Sequence, residues 1–198
     1  MTYPSAHIVD ELMSSNPSVG GVCIAYFYCM FRHASSQDPT AILGSFVAQL
    51  STQIPSMLDT IRPIFAKHDV TNNRAPIEID ALEDSIVKYG SQEKRPILIF
   101  LDAINESVHA PEILSSLAKL ITSSKNLRVL MTTTPGSAST VVSSLGNVNV
   151  IHMSSEVVQN DIEGFVDQQI EGKESLSRLK PNLRNEIRRT LYKKANGS

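Results

Sequence analysis

Hydrophobic positions along the chain alternate between two kinds of pattern. Recurrence at three and four residues marks amphipathic helices, and short continuous apolar runs mark buried strands. Ile8, Val9, Leu12 and Met13 predict a helix over Pro4 to Ser15, with Pro4 tolerated only in its first turn. Asn16-Pro17-Ser18 and Gly20-Gly21 then break the chain. Val22 to Cys29, rich in β-branched and aromatic residues, predicts a buried strand. Ser35 to Pro39 reads as a polar loop ending in an N-cap, Asp38, with Pro39 at the favoured first helical position. The helix beyond it carries Ile42, Leu43, Phe46, Val47 and Leu50, and a further helix is predicted over Pro55 to Lys67. Asp69 to Pro76 reads as a loop.

Ile79, Leu82, Ile86 and Val87 mark the next helix, with Gly90 as its expected C′ glycine. A strand over Ile97 to Leu101, a helix over Pro111 to Ser123, a strand over Leu127 to Thr133 and a short helix over Ser137 to Leu145 follow. Asn149 to Met153 predicts a fourth, shorter strand. Beyond it come amphipathic helices over Asn160 to Ile170 and Asn182 to Ala195, the latter with Asn182 as its cap, and no strand between them. Strands alternating with helices predict an α/β fold, a parallel sheet with helices on both faces. The change of pattern predicts an α/β domain over residues 1–153 and the start of a helical subdomain over 154–198.

Composition narrows the function classes. An apolar fraction of 41% supplies a sizeable core, and a net charge of −2 gives no broad basic surface for nucleic acid. The longest apolar run, Val22 to Phe31, is too short to span a bilayer, and the N-terminus lacks the pattern of a secretory signal. Cys23 and Cys29 share one apolar run and predict buried thiols without a disulfide, as in a reducing compartment. The expectation is a cytoplasmic protein that engages neither nucleic acid nor membrane.

The chemistry concentrates after the strand Ile97 to Leu101, which ends on Asp102 and is followed by Ala103, Asn105 and Glu106. Open α/β sheets bind ligands beyond the carboxyl ends of their strands. An Asp there suits Mg²⁺, which bridges to substrate phosphates, and a Glu just past it suits the orientation of an attacking water. An apolar strand ending in Asp is common, and such an Asp also serves simply to cap a following helix. Ala103, which admits a ligand closely, and Glu106 favour the site reading. The next strand ends in Thr132, Thr133 and Thr134, whose hydroxyls suit a terminal phosphate; threonine also simply favours strands. No Gly-x-x-x-x-Gly-Lys-[Ser/Thr] loop occurs, and Gly20-Gly21 precedes a strand and reads as a plain turn. The five histidines have no metal-ligand spacing, and no Gly-x-Ser-x-Gly elbow is present. Arg32, just past the first strand, reads as a phosphate contact or a surface arginine.

The order of these stretches resembles the NACHT domains of STAND-class P-loop NTPases, especially the fungal NLR-like and nephrocystin-like group. Ala25 to Arg32 looks like the family's aromatic strand, Asp38 to Leu50 like its following helix, Ile99 to Glu106 like its extended Walker B, and Val129 to Pro135 like its sensor strand. Asp161 to Val166 and Lys194 to Gly197 resemble the helical region beyond the sheet. The resemblance implies Asp102 as the Mg²⁺ residue, Glu106 as the catalytic carboxylate, and Asn105, Thr132 and Thr134 beside the nucleotide. It sets Thr2 on the hydroxyl residue of the Walker A loop and Met1 on its lysine, with the glycines and their strand expected upstream. Asn105 stands where the family has a second Asp, and Thr134 where it has the sensor arginine. In the family the P-loop strand lies between the sensor strand and the last strand, so its absence would leave sticky strand edges. In the intact family the cofactors are Mg²⁺ and ATP or GTP. For this chain alone the expectation is weak binding or none, without hydrolysis, and with protein partners or self-association. The rival expectation is a non-enzymatic α/β interaction scaffold, and a third is a shortened gene product.

Overall fold

A computed structural model describes residues 3–14, 21–33, 37–70, 77–152 and 155–195. It forms two compact units, Met1–Val148 and Asn149–Ser198. In the first, α1 (Tyr3–Ser14), β1 (Cys23–Tyr28), α2 (Pro39–Gln53), α3 (Pro55–Val70), α4 (Ile79–Gln92), β2 (Ile97–Asp102), α5 (Ala110–Ser123), β3 (Leu127–Met131) and α6 (Pro135–Leu145) follow in order. The second holds α7 (Ser155–Gly172), α8 (Glu174–Ser177) and α9 (Pro181–Ala195). The strands make one parallel sheet in the order β1-β2-β3, flanked by helices. Among the described residues no helix is long and apolar enough to cross a membrane.

Helices α2, α4 and α5 turn apolar residues into one core with the sheet. Ile42, Phe46 and Leu50 of α2, Leu82 and Ile86 of α4, and Leu114 and Leu117 of α5 are buried with Ala25, Ile99 and Leu101 in one continuous core. Pro39 begins α2, and Asp38 caps it by accepting the Thr40 N–H at 3.0 Å. β2, the central strand, is the most buried, with Ile99, Phe100 and Leu101 fully enclosed. Cys23 and Cys29 are free and buried, as the sequence predicts.

The sheet's two edges are treated differently. Cys23 and Cys29 donate their backbone N–H groups towards β2, so Ile24 and Tyr26 turn theirs outward. Gln53 meets Ile24 there, accepting its N–H at 2.9 Å and donating to its C=O at 2.7 Å. Gln49 does the same for Tyr26, at 3.0 and 2.8 Å. The geometry matches because four helical residues rise ~6 Å while two strand residues span ~6.6 Å. Two side-chain amides thus stand in for a neighbouring strand. By contrast β3 has no strand on its far side among the described residues, and Leu130 is partly exposed. Each glutamine satisfies two backbone groups, so replacing both by Ala should cost about 1–3 kcal/mol per site. The freed edge should also drive self-association. Denaturant unfolding and size-exclusion chromatography check this; unchanged stability and apparent mass would contradict it.

Four expectations need correction. Residues 149–152 join no ladder, and Val150 and Ile151 are exposed. Apolar alternation gives only propensity, and a strand needs a partner to take up its backbone bonds; Met153 lies outside the described residues. Gly90 lies inside α4 and not at C′, packed close to Ser124, whose Oγ would stand 2.8 Å from a Cβ there, and α4 ends at Gln92. β3 stops at Met131, because its partner β2 ends at Asp102 and turns away at Ala103, and α6 starts at Pro135, earlier than expected. Asn182 is within α9, whose first residue is Pro181.

At the amino end of the sheet, Arg95 Nη2 binds Glu93 Oε2 at 2.9 Å and the Gln53 carbonyl at 2.7 Å. The Arg95 guanidinium, aided by its backbone N–H and against the effect of burial, holds the Glu93 carboxyl at about 2. A depressed carboxyl stabilises the fold above its unfolded range and loses that contribution as pH falls. Arg95→Met should therefore weaken the protein at pH 7, with the gap narrowing between about pH 4.5 and 2. Urea midpoints at pH 7 and pH 2.5 test it, and an equal gap at both would refute it.

Candidate functional site

The carboxyl ends of β2 and β3 bring together the polar residues that the sequence singles out. Asp102 is the last residue of β2, in register with Tyr28, and is buried. Its backbone C=O accepts the Cys29 N–H at 3.0 Å, tying it to the end of β1. Its Oδ1 accepts the Thr132 hydroxyl at 2.6 Å, so Asp102 is bound to the neighbouring strand's end and does not serve merely as a helix cap. The same Thr132 oxygen accepts the Ala103 N–H at 2.9 Å, and the Thr132 carbonyl accepts the Ile104 N–H at 3.2 Å.

Ala103 is left-handed, at φ 56° and ψ 47°, the one non-glycine residue with positive φ among those described. Such a conformation is uncommon for a residue with a Cβ and persists where surrounding bonds enforce it. Here the Thr132 hydroxyl and carbonyl grip the two N–H groups on either side of the bend. The chain then turns through a 3₁₀ segment, Ile104–Glu106. Ile104 fills the core, and Asn105 and Glu106 are thrown outward.

Asn105 Oδ1 accepts the Thr134 N–H at 3.1 Å, joining this turn to the start of α6. Thr134 is the N-cap of α6, but its side chain makes no capping bond. Thr133 Oγ1 is buried without a hydrogen-bond partner. Glu106 Oε2 accepts the Phe31 N–H at 2.8 Å, reaching the loop after β1. The structure therefore gathers Asp102, Asn105, Glu106, Thr132 and Thr134 at one sheet end. Thr2 lies outside the described residues, and Arg32 is exposed.

The electrostatics are those of a small acidic centre. Burial first, then the negative charges of Asp102 and Glu106, push the Cys29 thiol up to about 11, so it is unreactive at neutral pH. Burial also raises Tyr28, with Tyr26, Asp102 and Asp10 adding to it. Among the described residues no group of three or more His, Cys, Asp or Glu is arranged to hold a metal ion. Asp102 by itself suits the Mg²⁺ mode in which one carboxylate is completed by waters and phosphate oxygens. An apolar groove of about 440 Å³ on α2 and α3, and a polar one of about 930 Å³ along α9, are lined by other residues.

Sequence reasoning missed Gln37, which is 7% exposed. It reads simply as part of a polar loop. Its Nε2 donates to the Phe31 carbonyl at 2.7 Å and the Met30 carbonyl at 3.5 Å, and its Oε1 accepts the Val108 N–H at 3.4 Å. Its own carbonyl accepts the Ser107 hydroxyl at 2.9 Å. No spacing or composition marks a residue that joins a neighbouring loop to partners 70 and 71 positions away.

A parallel α/β sheet with carboxylates, an amide and hydroxyls gathered beyond its strand ends defines the class of protein. More particularly, the chain belongs to the family described as Nephrocystin 3, N-terminal, whose model matches residues 2–134. The match takes in all three strands and every candidate site residue. No curated protein and no solved structure matches the chain.

Proposed function

We propose that the chain is a NACHT-type nucleotide-binding module that carries the metal-and-water half of a phosphate site. Asp102 contributes to Mg²⁺ binding, directly or through water. Glu106 orients the attacking water, Asn105, Thr132 and Thr134 lie beside the terminal phosphate, and Thr2 lies near Mg²⁺. ATP and GTP both suit this chemistry. The observation that carries the reading is the bond between Asp102 and Thr132, which couples the carboxyl ends of two adjacent parallel strands where such sheets take ligands. The edge of β3, which has no neighbouring strand among the described residues, adds to it, because the resemblance sets the P-loop strand beside that strand.

Binding by the chain alone is weak. Its 198 residues hold no Gly-x-x-x-x-Gly-Lys loop, so the lysine and the cradle of N–H groups are missing. Each such charge-assisted contact is worth ~1.5–3 kcal/mol, and losing several costs several powers of ten in affinity. Asp102, Asn105 and Glu106 also each hold an internal hydrogen bond that a ligand must displace or share. Calorimetric titration with Mg·ATP and Mg·GTP checks the weakness, and micromolar binding would overturn it.

Those same internal bonds favour a second reading, an interaction scaffold in which the carboxylates serve only the fold. Asp102→Ala separates the two. Loss of nucleotide-dependent behaviour supports the module, and unchanged behaviour supports the scaffold.

A further inference from the structure

We propose that Gln37 is the positioning residue of Glu106. The inference rests on Glu106 as the water-orienting carboxylate, and it concerns what fixes the direction in which that carboxylate points. Glu106 is partly exposed on a short 3₁₀ turn, where a free glutamate samples several rotamers. What it binds is one backbone group, the Phe31 N–H at 2.8 Å. Phe31 itself has little to hold it, since its side chain is 71% exposed. Its other backbone group, the carbonyl, takes the Gln37 amide at 2.7 Å. Residue 31 is therefore gripped at both ends, by Glu106 on its N–H and by Gln37 on its C=O.

Gln37 also fixes the far side of Glu106. Its Oε1 accepts the Val108 N–H at 3.4 Å, and its carbonyl accepts the Ser107 hydroxyl at 2.9 Å. One buried residue thus ties the loop that supplies the N–H to the loop that carries the carboxylate. A buried amide with both ends engaged is a rigid bridge, because releasing either end leaves a polar group unpaired. Asp38, the next residue, anchors the bridge by capping α2.

A plain loop clamp is the competing account, and the two differ in whether Gln37 and Glu106 act through the same N–H. Amide hydrogen exchange on the ¹⁵N-labelled chain, without nucleotide, separates them. Glu106→Ala should speed exchange at Phe31 about tenfold, the equivalent of ~1.4 kcal/mol. Gln37→Met, which keeps length and burial, should speed it by a similar factor, and the double variant should add nothing further. Phe31 exchange unchanged in Gln37→Met while Val108 exchange rises would overturn the proposal, as would multiplying effects in the double variant. Gln37→Glu gives the same decision by another route, and serves if the Met variant does not fold. It keeps the acceptor for Val108 and loses the donor, so Phe31 should be released with Val108 still protected; a protected Phe31 there also overturns it. Because no nucleotide is present, failure here leaves the nucleotide reading to stand or fall on its own titration.

Discussion

Thr132→Val is expected to destabilise the protein by about 3–5 kcal/mol, although it changes the side chain by one atom. The Thr132 hydroxyl makes two partly buried bonds, donating to Asp102 Oδ1 at 2.6 Å and accepting the Ala103 N–H at 2.9 Å. Hydrogen bonds to charged groups contribute ~1.5–3 kcal/mol, and the partly buried Ala103 N–H left without its acceptor costs ~1–2 kcal/mol more. The left-handed turn at Ala103 loses one of the bonds that enforce it, so the loop carrying Asn105 and Glu106 should loosen as well. Urea unfolding measures the loss. A double-mutant cycle with Asp102→Ala should show non-additivity, since both changes break the same bond. A cost below about 1 kcal/mol would mean that Thr132 is not what holds the turn.

Phe100→Ala should also cost about 3–5 kcal/mol, by a different route. Phe100 lies at the middle of β2 with no exposed surface, edge-on to Tyr28 at 6.4 Å between ring centroids. Removing it leaves a cavity beside the strand that positions Asp102, and both lost transfer energy and the void contribute. Phe31→Ala offers the contrast. Its ring is 71% exposed, so the change should fall within ~0.5 kcal/mol of wild type. A similar loss from both variants would show that the burial of β2 is not what sustains the site.

Most of the fold was legible because its cause is local. Ile97 to Leu101 is an unbroken apolar run, and only a strand enclosed on both faces tolerates one. Asp38-Pro39 announced the start of α2 by capping chemistry alone. What was not legible depends on partners distant in sequence. Gln49 and Gln53 read as polar positions on an amphipathic helix, yet they serve as a strand's missing neighbour. Gly90 reads as a helix stop, and its role is set by Ser124 on another helix's end. Val150 and Ile151 have strand propensity but no ladder. The candidate site divides in the same way. Asp102, Glu106, Thr132 and Thr134 could be named from their place at or just past strand ends, and Asn105 from the resemblance. That Thr132 binds Asp102, that Asn105 holds the start of α6, and that Gln37 joins the loops of Phe31 and Val108 are facts of packing across strands and loops.

The proposed half of a nucleotide site at these strand ends can be read by chemical-shift mapping with Mg·ATP on the ¹⁵N-labelled chain. Weak, saturable shifts are expected, with Kd on the order of millimolar. They should be confined to Asp102 to Glu106 and Thr132 to Gly136, and should be absent in Asp102→Ala. Shifts scattered over other surfaces, or the same shifts persisting in Asp102→Ala, would contradict it.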